Sequence, residues 1–192
     1  MKKIALFGTS ADPPTAGHSA ILKWLSQHYD LIAVWASNNP FKSHQTELGH
    51  RAKMLKVLID SLEIEHNKVV LYQNFSSRRT LETVKRAKLV WGSSAKFTLV
   101  IGSDLPPQMP SWYGIRELLQ QVVLLVIPRP GYSIEEKDLA ALEDLGGKCV
   151  IADFHAPSIS STAYRKNRDP DTVVPPVEDY INREKLYLCQ DR

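Results

Sequence analysis

Six short runs of uninterrupted apolar residues punctuate the chain, at 4–7, 31–36, 69–72, 97–101, 122–127 and, more weakly, 149–152. Runs of this length without polar alternation fit strands covered on both faces. Between them the apolar positions fall at helical spacing. Ile21, Leu22, Trp24 and Leu25 share one face, as do Met54, Leu55, Leu58 and Leu62, and Leu81, Val84, Ala87 and Val90. Strands buried on both sides and separated by helices predict a doubly wound parallel α/β sheet. Right-handed crossovers then place the strand C-terminal ends on one edge, where open sheets bind ligands at the point where strand order reverses. Gly8, the segment 37–42 and the segment 102–104 sit at such ends. The polar stretch 166–171 reads as a loop, after which Pro175 and Pro176 start a last helix carrying Val177, Tyr180 and Ile181 toward the sheet.

Composition narrows the picture. A chain of 192 residues with 43% hydrophobic content suits one compact domain over 1–192, burying roughly 70% of its unfolded surface. The net charge of +3 is mild, and Lys and Arg are scattered, which argues against a nucleic-acid stripe or a membrane-surface helix and suits a small anionic ligand. Cys149 and Cys189 have no pairing or metal-ligand spacing, so neither a zinc site nor a disulfide framework is expected, and a reducing compartment is. The start Met1-Lys2-Lys3 followed by an apolar run stops short of a signal-peptide core, and no stretch approaches ~18 apolar residues. A cytoplasmic protein follows, with small-molecule partners and neither nucleic acid nor membrane. A homo-oligomer is compatible with the chain.

Two segments carry the chemistry. Gly8-Thr9-Ser10-Ala11-Asp12-Pro13-Pro14-Thr15-Ala16-Gly17-His18 joins the first strand to the first helix. A glycine-bounded turn aimed at a helix N-terminus offers unpaired amides and the positive end of the helix dipole, which favour phosphate oxygens. Near the other terminus, Ile159-Ser160-Ser161-Thr162-Ala163-Tyr164-Arg165 sets three hydroxyls at a helix start with an arginine one turn in, a second anion cup. Lys42, at the end of the second strand, can bridge phosphates as a mobile point charge.

The first segment, with Thr15-Ala16-Gly17-His18, and the second, with Ile-Ser-Ser-Thr-x-x-Arg, resemble the two signatures of the nucleotidyltransferase superfamily. Further matches point to the bacterial nicotinate mononucleotide adenylyltransferases: Asn38-Asn39-Pro40-Phe41-Lys42, His50-Arg51-Ala52-Lys53-Met54-Leu55, Thr80-Leu81-Glu82-Thr83, Ile101-Gly102-Ser103-Asp104, Pro110-Ser111-Trp112-Tyr113 and Pro128-Arg129-Pro130-Gly131. Three departures stand out. Thr15 replaces a histidine, Ala11 an aromatic residue, and Arg78-Arg79 a Ser-Tyr pair.

The resemblance implies a Rossmann-like nucleotidyltransferase fold with a small helical C-terminal part. It also implies adenylyl transfer from ATP, accompanied by Mg²⁺, to nicotinate mononucleotide. His18, Lys42 and Arg165 would be catalytic. Gly8, Thr9, Ser10, Thr15, Gly17, His18, Gly102, Asp104, Ser161, Thr162 and Arg165 would bind ATP; Asn39, Lys42, Thr80, Trp112 and Arg129 would bind the mononucleotide. No metal ligand is expected on the protein itself. Thr80 also reads as a helix N-cap, and Trp112, between Pro110 and Gly114, as a loop residue with little pattern to bury it. A pantetheine-phosphate adenylyltransferase and a non-catalytic nucleotide sensor are the alternatives.

Overall fold

The computed structural model describes residues 1–39, 45–65, 67–92 and 94–188. All six apolar runs are strands: β1 (Lys3–Thr9), β2 (Leu31–Ala36), β3 (Val69–Leu71), β4 (Lys96–Gly102), β5 (Val123–Ile127) and β6 (Cys149–Ile151). They form one parallel sheet in the order β3-β2-β1-β4-β5-β6. The order reverses between β1 and β4, so the crevice outside their C-terminal ends is the switch point. Gly8 and Thr9 end β1 there, and Gly102 ends β4.

Helices α1 (Ala16–His28), α2 (Leu48–Asp60), α3 (Thr80–Trp91), α4 (Ile115–Leu119), α5 (Glu136–Asp144), α6 (Ser161–Asn167) and α7 (Pro175–Arg183) cover the sheet. Successive strand residues point to opposite faces, which divides the core in two. Ala5, Phe7, Ile32, Val34, Val100 and Leu125 meet Leu22 and Leu25 of α1, Met54, Leu55 and Leu58 of α2, and Val177 and Ile181 of α7. Ile4, Leu6, Ala33, Leu99, Ile101 and Leu124 meet Leu81 and Val84 of α3, Leu118 and Leu119 of α4, and Leu142 of α5. The last helix therefore joins the α1/α2 layer, packing on α2.

Two local expectations change. The polar stretch 166–171 is not all loop: α6 runs on through Asn167, and Pro170–Thr172 forms a 3-10 turn. Thr80 is the first residue of α3 rather than its cap. Arg79 holds the cap position, and no side chain caps that end. No helix among the described residues is long and apolar enough to cross a membrane.

Candidate active site

The β1–α1 turn is built around His18. Thr15 caps α1, and His18, three residues into the helix, reaches back so that Nδ1 accepts from the Thr15 backbone N–H at 3.0 Å. A histidine here takes the part that Glu or Gln plays in a capping box. The Thr15 hydroxyl lies 2.9 Å from the same nitrogen. With Nδ1 accepting, the neutral ring carries its proton on Nε2, which stands 2.8 Å from the Thr9 hydroxyl at the end of β1. The imidazole thus presents an N–H toward the mouth of the turn. Ala11, fully buried with φ 48°, holds the chain in a left-handed conformation unusual for a residue with a Cβ.

The missing Cβ of Gly8 has a packing reason. A methyl there would lie 2.6 Å from the Trp35 ring, which is buried under β1 and β2.

The second signature folds against the first. Ser160 caps α6, its hydroxyl accepting from the Ala163 amide at 3.1 Å. The Ser161 hydroxyl donates to the Pro13 carbonyl at 2.8 Å, and Arg165 donates to the Asp12 carbonyl. Another nitrogen of Arg165 reaches the Thr162 hydroxyl at 3.3 Å. A Cβ built on Gly17 would be 3.5 Å from the Ile159 carbonyl, so the two loops approach at backbone distance. Thr9, Ser10, Thr15, Gly17, His18, Ser161, Thr162 and Arg165 therefore belong to one place in the fold, although about 150 residues separate the two segments.

Arg51 was unremarkable in sequence, yet it is 3% exposed and ties this region together. Its Nε donates to the Thr46 carbonyl, and one terminal nitrogen donates to the carbonyls of Ser10 and Ser37, all at 2.8 Å. Burial depresses the guanidinium pKa, while the charge of Asp12 acts in the opposite direction. Asp12 is equally buried at 3% and accepts from the Tyr187 hydroxyl at 2.6 Å. Spacing alone could have flagged Arg51, since residues 51, 54, 55 and 58 lie on one helical face. In the sequence Leu186-Tyr187 only continues the family resemblance of the tail beyond Tyr180 and Ile181, and nothing there pairs Tyr187 with Asp12.

Across the switch point the third set gathers at the ends of β4 and β5. Asp104 and Arg129 form an ion pair at 2.9 Å on either side of Gly102, where a Cβ would lie 2.5 Å from Asp104 Oδ1 and 2.7 Å from Arg129 Cδ. Ser103, buried and absent from the sequence-derived set, accepts from the Arg129 amide and donates to the Tyr132 carbonyl, fixing the loop after β5. The start of α3 meets the loop before α4. The Arg79 guanidinium lies 4.0 Å over the Tyr113 ring, and Gly114 abuts Leu81. This juxtaposition brings the segments of Thr80 and Trp112 together. Trp112 lies in a loop, as its segment predicts, and is half-buried against the core on the α3, α4 and α5 face of the sheet. Asn39 is described at the end of the β2 loop, and Lys42 lies outside the described residues. Among the described residues no group of three or more His, Cys, Asp or Glu could hold a metal ion.

A parallel six-stranded sheet with two donor-rich loops converging at its switch point defines a doubly wound α/β protein of the nucleotidyltransferase type. The cytidylyltransferase-like family model matches residues 6–167, and the chain belongs to that family. A Synechocystis protein named "Probable nicotinate-nucleotide adenylyltransferase" is 45% identical, covering 96% of this chain and 98% of that one. The Bacillus subtilis nicotinate-nucleotide adenylyltransferase is 28% identical over 97% of this chain and 99% of its own. Among solved structures, a Plasmodium falciparum nicotinic acid mononucleotide adenylyltransferase complexed with NaAD superposes with a TM-score of 0.81 at 24% identity. It covers 97% of this chain and 98% of that chain. One complexed with APC gives 0.80 at 25% identity over the same shares.

Proposed function

We propose that this chain transfers the adenylyl group of ATP to nicotinate mononucleotide, giving nicotinate adenine dinucleotide and releasing pyrophosphate. The full-length similarity to nicotinate-nucleotide adenylyltransferases supports the reaction. The observation that carries it is the closure of the two signatures on each other through Ser161 on Pro13 and Arg165 on Asp12.

A phosphate monoester has its second pKa near 6, so the attacking oxygen is already ionised at neutral pH and needs no general base. The protein's task is to hold two mutually repelling polyanions in line and to stabilise charge moving onto pyrophosphate. In this reading the Nε2–H of His18 turns from the Thr9 hydroxyl to an oxygen of the triphosphate. The amides of 8–10 and the Thr15 hydroxyl line the same turn. Arg165, with Ser161 and Thr162, faces the leaving pyrophosphate from α6. Lys42 serves both substrates' phosphates, and Asn39 of the same segment binds the mononucleotide. On the far side Gly102 and Asp104 receive the nucleotide sugar, Arg129 the mononucleotide phosphate, and Thr80 and Trp112 the pyridine carboxylate and ring. Mg²⁺ enters as part of the substrate, on the ATP phosphates. The reading also makes the whole chain one domain working in the cytoplasm.

The test is release of pyrophosphate on mixing the chain, MgATP and nicotinate mononucleotide, with nicotinamide mononucleotide and pantetheine phosphate as alternative acceptors. Turnover with nicotinate mononucleotide is expected to exceed that with either alternative. Turnover confined to pantetheine phosphate, or none with any acceptor, would overturn the assignment.

A further inference from the structure

The carboxylate of Asp12, only 3% exposed, is used by none of the reaction roles above. Its Oδ1 accepts from the Tyr187 hydroxyl at 2.6 Å, and its Oδ2 accepts from the Thr46 amide at 3.4 Å. The Arg165 guanidinium lies 4.0 Å from Oδ2 while donating to the Asp12 backbone carbonyl. Arg51 belongs to the same cluster, its hydrogen bonds going to the carbonyls of Thr46, whose amide donates to Asp12, and of Ser10 and Ser37. The buried anion thus shares its surroundings with two guanidinium groups, one of which leads into the proposed triphosphate site. A buried charge persists only where its partners are fixed, because leaving it unpaired costs several kcal/mol.

Tyr187 reaches this carboxylate from the segment after α7. That segment folds back through two residues with positive φ, Lys185 at 54° and Tyr187 at 56°. Strained backbone of this kind persists only where the surroundings over-determine it. They do so here: the Leu186 amide donates to Ile181, the Leu186 carbonyl accepts from Arg168 at 2.9 Å, and the Tyr187 ring meets Tyr164 edge-on at 6.0 Å. The strap is held on three sides and delivers one hydroxyl to Asp12.

We infer that Asp12, held by the Tyr187 hydroxyl beside Arg165, is a positioning residue that sets the aim of Arg165, so that the Leu186–Tyr187 strap completes the phosphate-binding half of the site. The inference rests on the proposed use of ATP. It adds that residues near the C-terminus act on the triphosphate through a carboxylate that never touches it.

The experiment deletes one hydroxyl at a time. Tyr187→Phe removes the contact to Asp12. Tyr180→Phe removes a similar buried hydroxyl, 2.9 Å from His50 Nδ1 in the same helical layer but with no contact to the loop. MgATP affinity is measured by calorimetry without acceptor, then kcat and KM with nicotinate mononucleotide, then the thermal midpoint. The hydroxyl acts on the triphosphate only through Arg165, so Tyr187→Phe is expected to weaken MgATP binding about 5- to 10-fold, less than direct loss of a hydrogen bond to a charged group, and to lower kcat similarly. KM for the mononucleotide should stay within about twofold, and Tyr180→Phe should bind MgATP as the unsubstituted chain does. In an Arg165→Ala background the effect of Tyr187→Phe on MgATP affinity should vanish, because the hydroxyl acts through that arginine. Additive losses, equal losses in the two Tyr→Phe variants, or a Tyr187→Phe chain that no longer folds would each overturn the inference. Absent turnover with a non-additive MgATP effect would sink the adenylyltransferase assignment and leave the positioning role standing. Failure of the unsubstituted chain to bind MgATP would overturn both.

Discussion

The loops that leave β1 and β4 flank the same switch point, yet their charged groups are held in different ways. Around β1 the donors are anchored inward. Arg51 is buried on three backbone carbonyls, Arg165 donates to the Asp12 carbonyl, and His18 is pinned by the backbone of its own helix cap. Around β4 they are anchored to each other at the surface: Arg129, 44% exposed, pairs with Asp104, and Arg79 lies over the exposed Tyr113. Exposed ion pairs contribute about 0–1 kcal/mol and are easily exchanged for a ligand, whereas donors fixed by backbone carbonyls are set before any ligand arrives. The donors of the β1 side are preorganised, and those of the β4 side can rearrange. A reaction whose chemistry occurs at the triphosphate and whose selectivity resides in the pyridine nucleotide suits that division.

The largest effect that sharpens this contrast is on His18. His18→Ala is expected to lower kcat by about 10²–10³, as for loss of one preorganised donor, while KM for nicotinate mononucleotide changes little. Steady-state kinetics with each substrate varied in turn check this. An unchanged kcat would mean that the rigid side does not carry the chemistry.

One substitution made on both sides tests rigidity directly. Gly8→Ala drives a methyl to 2.6 Å from the buried Trp35 ring and should cost about 1–3 kcal/mol of stability, as overpacking does. Gly102→Ala crowds Asp104 and Arg129, the latter a long exposed side chain able to swing away, and should cost under about 1 kcal/mol, the value of a surface pair. Denaturant unfolding of the two variants measures the difference. Equal costs would dissolve the distinction.

The same division explains what could be read from the chain. The strands were legible because parallel strands buried on both faces are largely apolar runs, and the observed bounds fall within a residue or two of those runs at all six, although the edge strand β6 leaves Val150 and Ile151 exposed rather than covered. The two donor-rich loops were legible because each packs its donors into a few consecutive residues; that they meet was not. What escaped depends on tertiary pairing between distant segments: Arg129 with Asp104, Ser103 with the β5 loop, and Tyr187 with Asp12 across 175 residues. The partial burial of Trp112 was not legible because it comes from packing on the core beneath its loop rather than from any period in its own segment.

On the adaptable side, Trp112→Ala is expected to raise KM for the pyridine nucleotide about 2- to 30-fold and to spare ATP, since a cationic ring over an indole face gains ~0.5–2 kcal/mol. Matched losses for both substrates would assign Trp112 to packing, consistent with its half-buried position, and would move pyridine recognition elsewhere.

The smallest effect follows from the tyrosines around the anchored side. Burial raises the pKa of Tyr187 well above the ordinary value, and its hydrogen bond to Asp12 adds to this. Burial does the same for Tyr164, reinforced by its bond to Glu178. A phenol held protonated in the folded chain ionises in the unfolded chain first, at about pH 10, so above that pH the unfolded state binds fewer protons and stability falls as pH rises. Below pH 10 both states are protonated and the contribution is intact. Thermal midpoints measured at pH 9 and pH 11 should therefore drop more for the unsubstituted chain than for Tyr187→Phe, which has lost one of the two linked phenols. A parallel drop in both would mean that the Tyr187 hydroxyl is not held against the Asp12 carboxylate in solution. The preorganised side would then have lost the contact that distinguishes it most sharply from the surface pairs around β4.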